Sequence, residues 1–337
     1  MNKIARMTAG ERADVFAETA ARKGLPDAVV EKDFWVCWVL KQLFSIDSLS
    51  GRLLFKGGTS LSKIFQAINR FSEDIDLAVD YVALGFTGKR DPKQAGISKT
   101  QRAKILDEMM TACQHYIRGD FLAAFRTRCQ EVLGTVPAWA LAVSEQDSNV
   151  VRFQYPAAIA KRLSYVTPQV VLELGTHAEF VPRDQFTIRP FAAEEFPQLF
   201  LDAEITVEAI LAKRTFWEKV TILHAEHHRP PGRPFPGRYS RHYYDTAMLA
   251  QSSVKAEALA DMELLSQVVR RKEAFYPSAW ARYDLAHPGS LHLLPTEERL
   301  AALRQDYRDM AVMNFGEPPA FDHIIETLTA LEREINQ

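Results

Sequence analysis

The pair Gly57-Gly58 constrains this chain more than any other feature, because it falls directly after an apolar-rich run, Arg52 to Phe55, and just before a helical pattern, Leu61 to Asn69. A strand that passes through glycines into a helix leaves bare backbone at the turn, where a phosphate can approach and helix N–H groups point at it. Ile75 to Val79 reads as the next strand, giving the order strand, glycine turn, helix, strand. Asp74 and Asp76 stand two residues apart on it, so both carboxylates leave one face and can hold one or two Mg²⁺ ions through oxygen.

Each motif alone has a plainer use. Gly57-Gly58-Thr59 also fits a tight strand-to-helix turn with Thr59 as N-cap, and an isolated Asp-x-Asp also fits the solvent face of an edge strand. Together they are what metal-dependent transfer from a nucleoside triphosphate requires. A third carboxylate is expected on a neighbouring strand, and Glu173 is the one charge inside the apolar run Val170 to Gly175, where burial would need a cation to offset it.

Composition sets the outer limits. At 337 residues, 47% hydrophobic and 25% charged, the chain has material for a core and for two domains. Lys plus Arg (41) nearly balance Asp plus Glu (43), which excludes a globally basic nucleic-acid binder and confines any polyanion site to a local patch. Cys37, Cys113 and Cys129 are odd in number and lack zinc spacing, so free thiols in a reducing compartment are expected. No apolar leader and no charge-free window of membrane-spanning length is found, so the expectation is a soluble cytoplasmic protein without a membrane partner.

Helical patterns run from Ala9 to Arg22, Pro26 to Phe44, Lys99 to Arg118 and Asp120 to Leu133, with a polar loop from Phe86 to Ser98. The second helix is apolar on more than one face, as a buried helix would be, and carries Trp35 and Trp38, which with Trp217 are expected in the core. Strand patterns at Trp139 to Val143, Val150 to Tyr155 and Gln169 to Leu174 extend a mixed sheet. From Thr206 the pattern turns helical: Val207 to His227, Tyr243 to Ser252, Val254 to Phe275, Thr296 to Met313 and Pro319 to Asn336. The reading is α+β, with residues 1–205 as a mixed sheet flanked by helices and 206–337 as a mainly helical domain.

Between two of the later helices, His228 to Arg238 is too rich in Pro and Gly to be helical. Arg229, Arg233, Arg238 and Arg241, interleaved with Phe235, Tyr239, Tyr243 and Tyr244, can track an RNA backbone and stack a terminal base. A plain surface loop backed by a Tyr-anchored helix fits the same residues. Lys219 shares a helix with Lys213 and Arg214, where its ammonium either neutralises a departing pyrophosphate or decorates a solvated face. His224, His227 and His228 read as helix C-terminal histidines rather than a zinc site.

Lys56-Gly57-Gly58-Thr59-Ser60-Leu61-Ser62-Lys63 followed by Arg70-Phe71-Ser72-Glu73-Asp74-Ile75-Asp76-Leu77 resembles the AbiEii/AbiGii toxin family of nucleotidyltransferases, within the DNA polymerase β superfamily. Glu31 to Val36, Phe216 to His224 and Ser240 to Asp245 add to the resemblance, which spans roughly residues 26 to 250. It implies a polymerase-β-like core and Mg²⁺-dependent nucleotidyl transfer from a nucleoside triphosphate, with an RNA acceptor such as the tRNA 3′ end. It also implies a toxin with a cognate, DNA-binding antitoxin. By motif, Lys56, Gly57, Gly58, Thr59, Ser60 and Lys63 hold the triphosphate, Asp74 and Asp76 hold the metals, Lys219 is the motif lysine and Asp245 the motif aspartate, with Glu173 aligned by pattern. Asp245 is alternatively a residue that orients Lys219. His242 stands where the family often has an aspartate. The rival readings are nucleotidylation of a protein side chain and a triphosphate-binding module without catalysis.

Overall fold

The computed structural model describes residues 1–72, 74–134, 138–160, 167–177, 179–234, 236–310 and 313–337. Glu73 of the carboxylate motif and Phe235 of the basic loop lie outside these. The chain divides into two compact units: Met1–Ile64, Ser72–Asp91 and Ser98–Ile210 form the first, and Phe65–Phe71, Pro92–Ile97 and Leu211–Gln337 the second.

The first unit carries the strands β1 (Leu53–Lys56), β2 (Asp74–Val79), β3 (Ala140–Val143), β4 (Val150–Gln154), β5 (Gln169–Gly175), β6 (Arg183–Ile188) and β7 (Ile205–Ile210). They form one sheet in the order β3-β4-β5-β2-β1-β7-β6. The pairs β1/β7 and β2/β5 are parallel and the others antiparallel, so the sheet is mixed. Its helices are α1 (Asn2–Ala5), α2 (Ala9–Lys23), α3 (Asp27–Phe44), α4 (Gly57–Lys63), α5 (Lys99–Tyr116), α6 (Leu122–Leu133) and α7 (Phe191–Glu195).

Period-two alternation gives the sheet two unlike faces. Leu53, Phe55, Ile75, Leu77, Val79, Val170, Leu172, Leu174, Val151 and Phe153 fill one continuous core with α3. Trp38 stacks on Phe153 with ring centroids 5.4 Å apart, and Trp35 stacks on Tyr155 at 5.5 Å, so the tryptophans of α3 are core as expected. Lys56, Asp74, Asp76 and Glu173 leave the other face. Glu31, Lys32 and Asp33 are buried on α3 and bind backbone: Glu31 accepts from Ala158 N at 2.6 Å, Lys32 donates to Thr167 O at 3.2 Å, and Asp33 accepts from Phe191 N at 2.7 Å.

The second unit contains α8 (Ala212–His227), α9 (Ser240–Ala250), α10 (Ser253–Leu259), α11 (Met262–Phe275), α12 (Glu297–Met310) and α13 (Phe321–Asn336). The segment 65–71 is held within it: Phe71 N donates to Met313 O at 2.6 Å, and Asn69 N to the Tyr244 hydroxyl at 3.2 Å.

Three expectations are corrected. A helix opening at Val207 is replaced by β7, where alternate burial along Ile-Thr-Val-Glu-Ala-Ile follows a strand period, and the helix starts at Ala212. The single helix Val254 to Phe275 is two, because Asp261 caps α11 by accepting from Leu264 N at 3.3 Å. The helix after the glycine turn begins at Gly57 with Lys56 as its cap and ends at Lys63, so Thr59 lies inside the helix rather than at its N-cap. The strand β6 had no counterpart in the sequence reading.

Phe153 touches Trp35, Trp38, Phe125 and Trp139. Phe153→Ala is expected to lower unfolding stability by about 3–5 kcal/mol, read as a shift in the urea midpoint; a loss under about 1 kcal/mol would contradict this core.

Candidate active site

The antiparallel register of β1 and β2 places Lys56 opposite Asp76, and the parallel register of β2 and β5 places Glu173 beside Asp76 on the other side. Cross-strand neighbours share a face, so Lys56, Asp76 and Glu173 form one row, with Asp74 two positions before Asp76 on that face. The Lys56 ammonium is 3.9 Å from the Asp76 carboxylate. Asp74 and Asp76 are partly exposed. The buried position expected for Glu173 is corrected: it is exposed, because strand alternation turns it away from the core on which Leu172 and Leu174 pack.

Gly57 follows Lys56 with φ +79°, a conformation that side-chain-bearing residues rarely adopt. A Cβ added there would lie 1.9 Å from Asp76 Oδ2 and 2.9 Å from Asp76 Cβ. The glycine turn and the carboxylate strand therefore meet in direct contact, and the contact exists because position 57 lacks a side chain.

The other turn residues brace this contact. The buried Thr59 hydroxyl bonds the Asp74 carbonyl and lies 3.0 Å from Ser72 Oγ, fastening α4 to the start of β2. Ser60, also buried, donates to the Gly57 carbonyl at 2.8 Å. Both hydroxyls thus bind protein, and what the turn can offer a ligand is the backbone of Gly57 and Gly58. Lys63 goes elsewhere: its ammonium is 2.6 Å from Asp33 in a largely buried pair and 4.0 Å from the Phe191 ring. Burial opposes its charge, but Asp33 outweighs that and holds the Lys63 ammonium above its ordinary range.

In the second unit, Lys219 of α8 and Asp245 of α9 are brought together at 2.7 Å, both buried. Arg70 grips the same carboxylate as a fork, with Nε to Oδ1 at 2.7 Å and Nη2 to Oδ2 at 2.9 Å. Lys219 Nζ also lies 3.2 Å from His242 Nδ1. Burial works against the Asp245 charge, yet Arg70 and Lys219 hold its carboxyl well below the usual carboxylate range. Burial pulls Lys219 down, Asp245 opposes this, and the Arg70 charge adds to the lowering. His242 is held well below its ordinary value by burial and by Lys219 beside it, so it faces Lys219 as a neutral imidazole. Arg70 was quoted in the sequence only as part of a motif; its role was not legible there, because its partner is 175 residues away.

Of the loop arginines, Arg229 is bound by Glu226 through two bonds of 2.7 Å and lies over the Trp280 ring, as does Arg233. Arg233, Arg238 and Arg241 are exposed. His224 and His227 bond the carbonyls of Arg282 and Leu294, and their rings stack with His292. Trp217 is in the core. Cys37, Cys113 and Cys129 are buried free thiols. No helix among the described residues is long and apolar enough to cross a membrane.

A glycine turn in contact with an Asp-x-Asp strand sets bare backbone beside two carboxylates on one face of a mixed sheet. The profile of the nucleotidyl transferase AbiEii toxin family, of type IV toxin–antitoxin systems, matches residues 38–327, and the chain belongs to that family. It is thus a nucleotidyltransferase toxin, and membership implies a nucleoside triphosphate substrate and a cognate antitoxin. The match runs to residue 327, past residue 250, where the resemblance read from the sequence ends. Among solved structures the chain is similar to MenT4, a nucleotidyltransferase toxin from Mycobacterium tuberculosis H37Rv, at 15% identity and a TM-score of 0.45 over 96% of each chain. No curated protein matches.

Gly57→Ala forces a Cβ into Asp76 on a backbone that disfavours it, so nucleotidyl transfer should fall about a hundredfold or more while the circular dichroism spectrum is kept. Unchanged activity would remove the contact from the mechanism. Asp245 has a folded pKa below its unfolded value of about 3.9, so its stabilisation is present above that value and fades as pH falls through the lower one. Asp245→Asn, which strands two cations, should cost about 3–5 kcal/mol at pH 7, and the gap to wild type should narrow below about pH 4 in denaturant titrations.

Proposed function

We propose that the chain transfers a nucleotidyl group from a nucleoside triphosphate to an RNA hydroxyl, with the tRNA 3′ end as acceptor, in a Mg²⁺-dependent reaction. The observation that carries this reading is the direct contact of Gly57 with Asp76, which sets a bare backbone turn against a carboxylate strand. Asp74 and Asp76 are hard oxygen donors of the kind Mg²⁺ takes, and this ion commonly uses one or two carboxylates with waters and substrate phosphates as its remaining ligands. Two Mg²⁺ ions held by Asp74 and Asp76 would supply charge neutralisation across the phosphates.

The residues of the chain supply the rest. Gly57 and Gly58 admit the phosphates against the backbone, and Lys56 adds a cation beside Asp76. Glu173, exposed in the same row, would receive the acceptor proton. The acceptor oxygen attacks the α-phosphorus; a new O–P bond forms as the bond to the pyrophosphate oxygen breaks. Lys219, held by Asp245 within the second unit, is by motif a cation for an anionic group. Arg233, Arg238 and Arg241, exposed in a chain of nearly balanced charge, are the residues for the acceptor backbone. The family points to a DNA-binding antitoxin as partner and to the cytoplasm as the place of action.

The test incubates the protein with each α-labelled nucleoside triphosphate, Mg²⁺ and total tRNA. Label in the RNA fraction is expected, and loss of about a hundredfold or more in Asp76→Asn. Label in protein instead selects side-chain nucleotidylation, and no transfer with any nucleotide reduces the chain to a binding module.

A further inference from the structure

We infer that Arg152 of β4 binds the acceptor: its guanidinium holds a backbone phosphate of the RNA end beside the carboxylate row, an inference that rests on the function proposed above. The register places it there. Arg152 pairs with Val171 across β4 and β5, and Val171 pairs with Asp74 across β5 and β2, so Arg152 and Asp74 leave the same face of the sheet, two strands apart. Neighbouring strands lie about 4.8 Å apart, which sets the two backbones about 10 Å from each other. Glu173 is nearer: it pairs with Val150, two positions before Arg152, a diagonal that long side chains span. Val151 and Phe153, on either side of Arg152, are buried in the core, which fixes the face from which Arg152 projects.

This part of the face is chemically sparse. On β3, β4 and β5 the charged residues are Arg152 and Glu173. Arg152 is half-buried, and its guanidinium has no hydrogen bond or ion pair among the described residues. Arg183 of β6, by contrast, is paired with Glu208 at 3.0 Å. At the far end of β2 the face is closed, because Ala78 is buried with Leu54 and Ile210. Its open part is therefore the rows of Asp74 and Asp76, and Arg152 stands in the first. Electrostatics ask for a cation at this place. The attacking oxygen lies in line with the departing pyrophosphate and opposite to it. With the phosphates against Lys56 and the Gly57 turn after β1, the acceptor comes from the side of β5 and β4, across Asp76 and Glu173. That approach brings a polyanion to Asp74, Asp76 and Glu173, and on these strands Arg152 is the guanidinium that offsets them. Its planar fork matches a phosphate in two bonds, where a lysine ammonium acts only as a point charge.

The experiment measures RNA binding apart from chemistry. Fluorescence anisotropy in EDTA follows a dye-labelled tRNA that lacks its terminal 3′ hydroxyl, titrated with wild type, Arg152→Ala and Arg152→Lys. The Kd should rise about tenfold in Arg152→Ala and about threefold in Arg152→Lys, and the slope of log Kd against log salt should fall by about one in Arg152→Ala, as the loss of a single phosphate contact requires. Steady-state transfer adds a split: the KM for tRNA rises about tenfold in Arg152→Ala while the KM for the triphosphate stays within about twofold. An unchanged Kd and salt slope, or a rise confined to the triphosphate KM, overturns the inference. A purely structural arginine would instead lower the urea midpoint of both variants in step with the Kd, and that result overturns it too. A wild type that neither labels RNA nor binds it sinks the proposed acceptor, whereas a wild type that labels RNA, with Arg152→Ala binding it equally well, sinks the role of Arg152 alone.

Discussion

A missing methyl group holds the carboxylate face together. Because β1 and β2 are antiparallel with Lys56 opposite Asp76, the residue after Lys56 must pass directly against the Asp76 side chain. Only a residue without Cβ, on a backbone at φ +79°, makes that passage. Thr59 and Ser60 use their hydroxyls to keep the turn closed, so the side chains that look most suited to a phosphate are the ones that preserve the geometry.

The sheet makes this face available. With Phe55, Ile75, Leu77, Leu172 and Leu174 committed to the core under α3, strand alternation leaves Lys56, Asp74, Asp76 and Glu173 to point away from it. The same arithmetic explains why an acidic residue in an apolar strand need not be buried: Glu173 sits between two core residues and is itself exposed. Burial of charge is reserved for places where backbone or an opposite charge answers it, as on α3 and around Asp245.

Much of this was legible in the sequence. The glycine turn, the paired aspartates on one strand face, the long buried helix and its tryptophans all follow from local spacing, and local spacing is what a sequence displays. The two ends of β7 were less legible because Ile205 to Ile210 runs directly into a helical pattern, and a short strand before a helix blurs into its period. Lys63 was grouped with the phosphate ligands by motif; its partner Asp33 lies on a helix that nothing local ties to the turn.

The chain by itself determined which residues could carry metal and phosphate chemistry, since residue type and periodicity fix side-chain chemistry and the face from which it projects. Tertiary structure decided which of those groups fasten the turn and which are brought side by side. Thr59, Ser60 and Lys63 bind protein; Lys56, Asp76 and Glu173 meet in one row through strand pairing, with Gly57 against Asp76. The Arg70 fork on Asp245 likewise arises only when distant segments fold together, because hydrogen bonds and the sum of charges depend on separation in space rather than along the chain.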